Sequence, residues 1–156
     1  MPLPPGSSAI GFRLPLLCGG EVDLHQWLRD GPVLLAFFKT TCPTCMLAFP
    51  FLERIHRHGN ALRLLAISQD APPATMRFCT EFGITIDTAL DAASSGYSAS
   101  NAYAITHVPS LFLISAAGLV EWSSTGFSKP DFEELGRTAN AEVFTAHDRV
   151  PVWKPG

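Results

Sequence analysis

Val33-Leu34-Leu35-Ala36-Phe37-Phe38 runs directly into Lys39-Thr40-Thr41-Cys42-Pro43-Thr44-Cys45-Met46-Leu47-Ala48-Phe49-Pro50, and this stretch decides the fold. Six consecutive apolar residues are the pattern of a strand covered on both faces. From Pro43 to His58 the spacing turns helical, with Leu47, Phe51, Leu52 and Ile55 on or near one face and Gly59 placed to end the helix. Pro50 inside that helix removes a backbone hydrogen bond and should kink the axis. A buried strand therefore delivers a Cys-x-x-Cys to a helix N-terminus, with Pro43 at the first helical position.

That placement has chemical consequences. Unpaired N–H groups and the helix dipole favour negative charge, lowering a thiol pKa from about 8.5 into a range of roughly 3.5 to 7.5. Cys42 is then the expected nucleophile. Cys45, one turn later and more buried, is expected to resolve the mixed disulfide that Cys42 forms with a substrate. Pro43 and Thr44 between them tune the stability of the thiolate.

Upstream, Met1 to Gly11 is rich in proline, glycine and serine and is expected to be an irregular arm. Gly19-Gly20 separates two short apolar pieces, as in a hairpin leading into a turn of helix before Asp30. Downstream, Leu62 to Ile67 is a second apolar strand, and Pro72-Pro73 opens a helix to about Phe82. A short extended piece is expected at Ile84 to Ile86 and a helix at Ser95 to Tyr103. Leu111 to Ile114 is a third core strand, joined through Ala116-Ala117-Gly118 to a partner at Leu119 to Trp122. Ser128 is placed to cap a last helix with Pro130 and Asp131 in its first turn. The expected architecture is α/β: a central mixed sheet with helices on both faces. Three parts are expected: an arm over 1–11, a body over 12–140 and an irregular tail over 141–156.

The 156 residues are 47% hydrophobic and 16% charged, enough to build a core. A net charge of −3 without charge runs points away from nucleic acid and anionic membranes. No stretch approaches the roughly 18 apolar residues of a membrane span. Met1 to Ile10 lacks the pattern of a secretory signal, so a cytoplasmic location is expected, or export if a leader was removed. Four cysteines do not make a disulfide framework. Cys18 and Cys79 are isolated and are expected to be packing residues.

With these residues in place, F-F-K-T-T-C-P-T-C-M-L-A-F-P resembles the active-site strand and helix of thioredoxin-like proteins, and most of all their TlpA/ResA branch, also described as redoxin or AhpC/TSA-like. I-S-Q-D-A, F-G-I-T-I-D-T-A-L-D and Y-A-I-T-H-V-P-S-L-F-L-I resemble the same branch, including its inserted strand and helix, so that the likeness covers roughly Phe12 to Ala139. The resemblance implies a thioredoxin-like fold and a thiol-disulfide oxidoreductase. Its implied partners are a protein or small-molecule disulfide and an external thiol reductant or oxidant, and no cofactor is implied beyond the Cys42–Cys45 couple. It also implies a cis-proline at Pro109, leaving the Val108 backbone open to pair with an extended substrate. Two departures stand out. The carboxylates that often assist the second cysteine are replaced by Ala36 and Ala48, and Thr41 stands where a tryptophan commonly precedes the first cysteine. Some redoxin-like sequences carry a further cysteine or selenocysteine after a segment like Trp153-Lys154-Pro155-Gly156, which leads us to expect that the natural chain continues.

Other readings fit less well. A zinc site would need a second Cys-x-x-Cys or finger spacing at His56 and His58, and no metal site is expected. Covalent haem attachment would need histidine where Met46 stands. A peroxiredoxin-like thiol peroxidase would place P-x-x-x-T-x-x-C before its cysteine, whereas Lys39 and Leu35 precede Cys42 at those offsets. A redox-inactive thioredoxin-fold binding domain remains as an alternative, suggested by the missing carboxylates. His107, two residues before Pro109, is a candidate influence on the thiolate.

Overall fold

The structure is a computed structural model that describes residues 2–156; Met1, the first residue of the expected arm, lies outside them. The strand that opens the deciding stretch is β3 (Val33–Phe38), the centre of a five-stranded sheet. Parallel to it lies β4 (Arg63–Ser68), flanked by β5 (Thr88–Leu90). On its other side lie the antiparallel β6 (Ser110–Ile114) and β7 (Val120–Thr125), giving the order β5-β4-β3-β6-β7. An N-terminal hairpin, β1 (Arg13–Pro15) with β2 (Glu21–Asp23), turns at Gly19 and Gly20, both at positive φ. It leads into α1 (Leu24–Leu28), whose cap is the Asp23 carboxylate accepting from the His25 and Gln26 N–H groups.

Alternation along β3 divides the core, because successive side chains of a strand point to opposite faces. Leu34, Ala36 and Phe38 pack with α2 (Pro43–His58), α3 (Pro72–Phe82) and α5 (Lys129–Ala139). Val33, Leu35 and Phe37 pack with the hairpin, α1 and α4 (Ser98–Ala102), around the buried Tyr103 ring. Helices thus cover both faces.

Several expectations need correction. The extended piece is Thr88–Leu90 and not Ile84–Ile86: Ile84 and Ile86 instead fill the α2 side of the core, while Ala66, Ile67 and Ser68 pair with Thr88, Ala89 and Leu90. The helix expected over Ser95–Tyr103 is broken by Gly96 and Tyr97, both at positive φ, into a 3-10 turn (Ala93–Ser95) and α4. The last sheet strand runs to Thr125, three residues beyond Trp122. The tail is irregular only in part. Trp153–Lys154 forms β9, paired with β8 (Phe127–Ser128). Before it, Arg54 on α2 donates to both Asp148 carboxylate oxygens at 2.6 and 3.0 Å and to the Val143 carbonyl at 3.0 Å.

Candidate active site at Cys42 and Cys45

The strand-to-helix junction puts Cys42 at the N-cap of α2, where its Sγ accepts the Cys45 N–H at 3.1 Å. Both cysteines are free thiols; Cys42 is half-buried and Cys45 is fully buried. The two sulfurs titrate in opposite directions. The Cys45 thiol donates to Cys42 and this, with the Cys45 and Thr44 N–H groups and the Lys154 charge, outweighs burial and holds Cys42 down to about 6. Burial first, then the same contact with Cys42, pushes Cys45 far above the ordinary thiol range. When protonated, Cys42 donates to the Val108 carbonyl 3.3 Å away.

That carbonyl belongs to the loop before β6, which the expectation for Pro109 had placed opposite the cysteines; the Val108–Pro109 peptide is cis. Ser110 Oγ donates to the His107 carbonyl at 2.6 Å, and the Gly126 N–H donates to the Pro109 carbonyl at 2.9 Å, so the loop is held from two sides. Thr41 and Pro43 are exposed beside Cys42. Thr44 faces the other way. It is buried, and its hydroxyl donates to the Pro155 carbonyl at 2.6 Å. His107 is exposed and borders, with Lys39, Gln69 and Val108, a cavity of about 290 Å³ at the edge of the site.

Two participants were not singled out from sequence. Asp70, after β4, accepts the Thr40 N–H at 2.7 Å, and its charge is among the influences that keep Cys45 protonated. Ala36 and Ala48 are buried as expected on the strand and the helix, so Asp70 is a carboxylate reaching this site by another route. The second participant is the tail itself, whose Gly156 lies against Val108. Neither has a local sequence signal, since each meets the cysteines only through long-range packing. Cys79 is half-buried against the core, where burial raises its pKa, but Cys18 is exposed, which corrects the packing role expected for it. Among the described residues no group of three or more histidine, cysteine or acidic side chains converges as a metal site, and no helix is long and apolar enough to cross a membrane.

Comparison with known proteins gives the same picture. The redoxin family model matches residues 4–140. Thiol-disulfide oxidoreductase ResA of Halalkalibacterium halodurans is 27% identical over 134 residues, covering 83% of this chain and 74% of that protein. ResA of Geobacillus kaustophilus is 30% identical over 132 residues, covering 82% and 74%. A Chlorobium tepidum crystal structure assigned to the thiol:disulfide interchange protein DsbE superposes with a TM-score of 0.75 at 25% identity, covering 87% of this chain and 95% of that one.

Proposed function

This chain belongs to the redoxin family and is a thiol-disulfide oxidoreductase of thioredoxin-like fold, and from that premise we propose that Cys42 is its attacking thiol and Cys45 its resolving thiol. The observation that carries this is the geometry of the pair: an accessible sulfur at a helix N-terminus accepting the Cys45 N–H at 3.1 Å, with a buried protonated sulfur one turn behind it.

The Cys42 thiolate attacks one sulfur of a substrate disulfide, forming a mixed disulfide and expelling the other sulfur as a thiolate that takes up a proton. Cys45 then loses its proton and attacks Cys42 Sγ. The mixed disulfide breaks, the second substrate sulfur leaves and is protonated, and a Cys42–Cys45 disulfide remains. Two electrons have passed from the dithiol to the substrate. An external dithiol returns them by the same exchange, and no cofactor enters. Lowering the pKa of the attacking thiol stabilises the reduced form, so the couple is a stronger oxidant than its high-pKa counterparts. A value of about 6 lies between those of thioredoxin, about 7, and DsbA, about 3.5.

The expected partners are disulfides of proteins or small molecules and one external thiol reductant or oxidant. The test is turnover of a disulfide substrate by Cys42→Ser and Cys45→Ser, beside a peroxide assay. Cys42→Ser abolishes turnover and Cys45→Ser accumulates a covalent mixed disulfide visible by mass. Undiminished disulfide reduction by Cys42→Ser would sink this assignment, and turnover of peroxide alone would replace it with a peroxidase.

A further inference from the structure

The segment that follows the β8–β9 pairing crosses the site. After β9, the Pro155 carbonyl accepts from the buried Thr44 hydroxyl, and Gly156 lies so close to Val108 that any side chain at 156 would run into the Val108 carbonyl. This is the same carbonyl that lies 3.3 Å from Cys42 Sγ. Gly126, at φ 78°, leaves room for the crossing: a Cβ there would stand 2.6 Å from the Lys154 carbonyl and 3.2 Å from the Gly156 nitrogen. The crossing segment is held lightly. It has a two-residue ladder, the Thr44 bond and one bond from the Lys129 N–H to the Val152 carbonyl, while Val152 and Trp153 are 69% and 61% exposed. Few buried apolar contacts mean that such a segment opens locally at small cost.

An extended substrate bound beside Cys42 needs the free backbone edge of Val108 to pair with, and Gly156 stands on that edge. What stays open is the cavity of about 290 Å³ between Lys39, Gln69, His107, Val108 and Gly156. Two of its walls touch Cys42 directly: its thiol meets the Val108 carbonyl, and its N–H donates to the Lys39 carbonyl at 3.3 Å.

We propose that Trp153–Gly156 is an internal occupant of the substrate groove that sets the substrate class of the enzyme. Low-molecular-weight disulfides reach Cys42 through the cavity with the strap in place. Disulfides in extended protein segments reach it only when the strap lifts. The inference rests on Cys42 being the attacking thiol.

The test compares kcat/KM for insulin with that for hydroxyethyl disulfide in the parent protein and in Gly156→Val. Gly156 is exposed at the edge of the body, so the substitution leaves the fold intact while pushing the strap off Val108. Losing one or two net hydrogen-bond equivalents predicts a rise of roughly tenfold in the ratio of the insulin value to the hydroxyethyl disulfide value. Thr44→Val, which removes the hydroxyl bond to the Pro155 carbonyl without changing side-chain shape, moves the ratio the same way. A ratio that stays constant or falls in both variants overturns the strap while leaving Cys42 in its role. A parent chain that turns over neither disulfide, with its thiols reduced, overturns both.

Discussion

Cys42 and Cys45 share one turn of helix and differ chiefly in exposure, and that difference divides the labour of exchange between them. Cys42 draws on the Cys45 thiol, two backbone N–H groups and the Lys154 charge, all of which act on its charged form. The sign is fixed: below about pH 6 the sulfur is protonated and slow, above it the thiolate dominates. Alkylation of Cys42 by iodoacetamide, followed by mass, is therefore expected to rise through pH 6 and to level off by about pH 8, while Cys45 stays unmodified in the folded protein. In Cys45→Ala the largest stabilising contact is gone, and the midpoint for Cys42 is expected to move up toward the free-thiol value of about 8.5. A midpoint unchanged in that variant would mean that the helix N-terminus alone suffices.

Helix α2 is anchored at its far end by an acid as well as capped at its near end by a thiol. Glu53 is 5% exposed and accepts from the Thr85 N–H at 2.7 Å, the Ile86 N–H at 3.1 Å and the Arg57 guanidinium at 2.7 Å. Burial alone would raise its pKa, but the hydrogen bonds from Thr85, Arg57 and Ile86 outweigh it and hold it below the usual carboxylate range. Its contribution to stability is thus present above the unfolded-state value of about 4.3 and lost as pH falls through the lower native one. Glu53→Ala strands two backbone donors and is expected to cost about 2–3 kcal/mol at neutral pH, read by urea unfolding, and to flatten the acid limb of the stability profile. At α5, Ser128 Oγ accepts the Asp131 N–H at 3.3 Å, and Ser128→Ala is expected to cost about 1 kcal/mol in the same assay.

Across the whole molecule, the chain beyond α5 binds the far ends of the fold to the site. Phe144 packs on Phe51 of α2 at 4.9 Å and on Phe127 of β8 at 6.2 Å, and the Arg54–Asp148 pair fixes the turn that follows. From there β9 reaches β8, and Lys154 and Pro155 arrive at Thr44 and Cys42. Phe144→Ala is expected to cost about 2 kcal/mol, below the range for a fully buried phenylalanine. The same substitution should increase hydrogen exchange in residues 127–129 without altering β3 or β4. Equal loosening throughout would show that the tail is not a separate unit of stability.

The continuous apolar run of β3, the helical spacing from Pro43 and the position of Cys42 between them made the sheet centre, the helix and the redox pair legible in the sequence, because each rests on contacts within about one turn or one strand. The helix bounds at Pro72–Phe82 and the Ser128 cap were legible for the same reason: proline and serine act on their own backbone neighbours. Strand β5 is not legible to the residue, since Ile84 and Ile86 are as apolar as a strand and only pairing with Ala66–Ser68 chooses Thr88–Leu90. The tail reads as irregular in the sequence because Trp153 and Lys154 become a strand only against the distant Ser128 and Phe127. Sequence by itself determined which sulfur sits at a helix start. Tertiary packing alone decided what surrounds it, Asp70, the Val108 carbonyl, Lys154 and Gly156, because these arrive from three separate segments whose meeting depends on the closed sheet and not on any local preference.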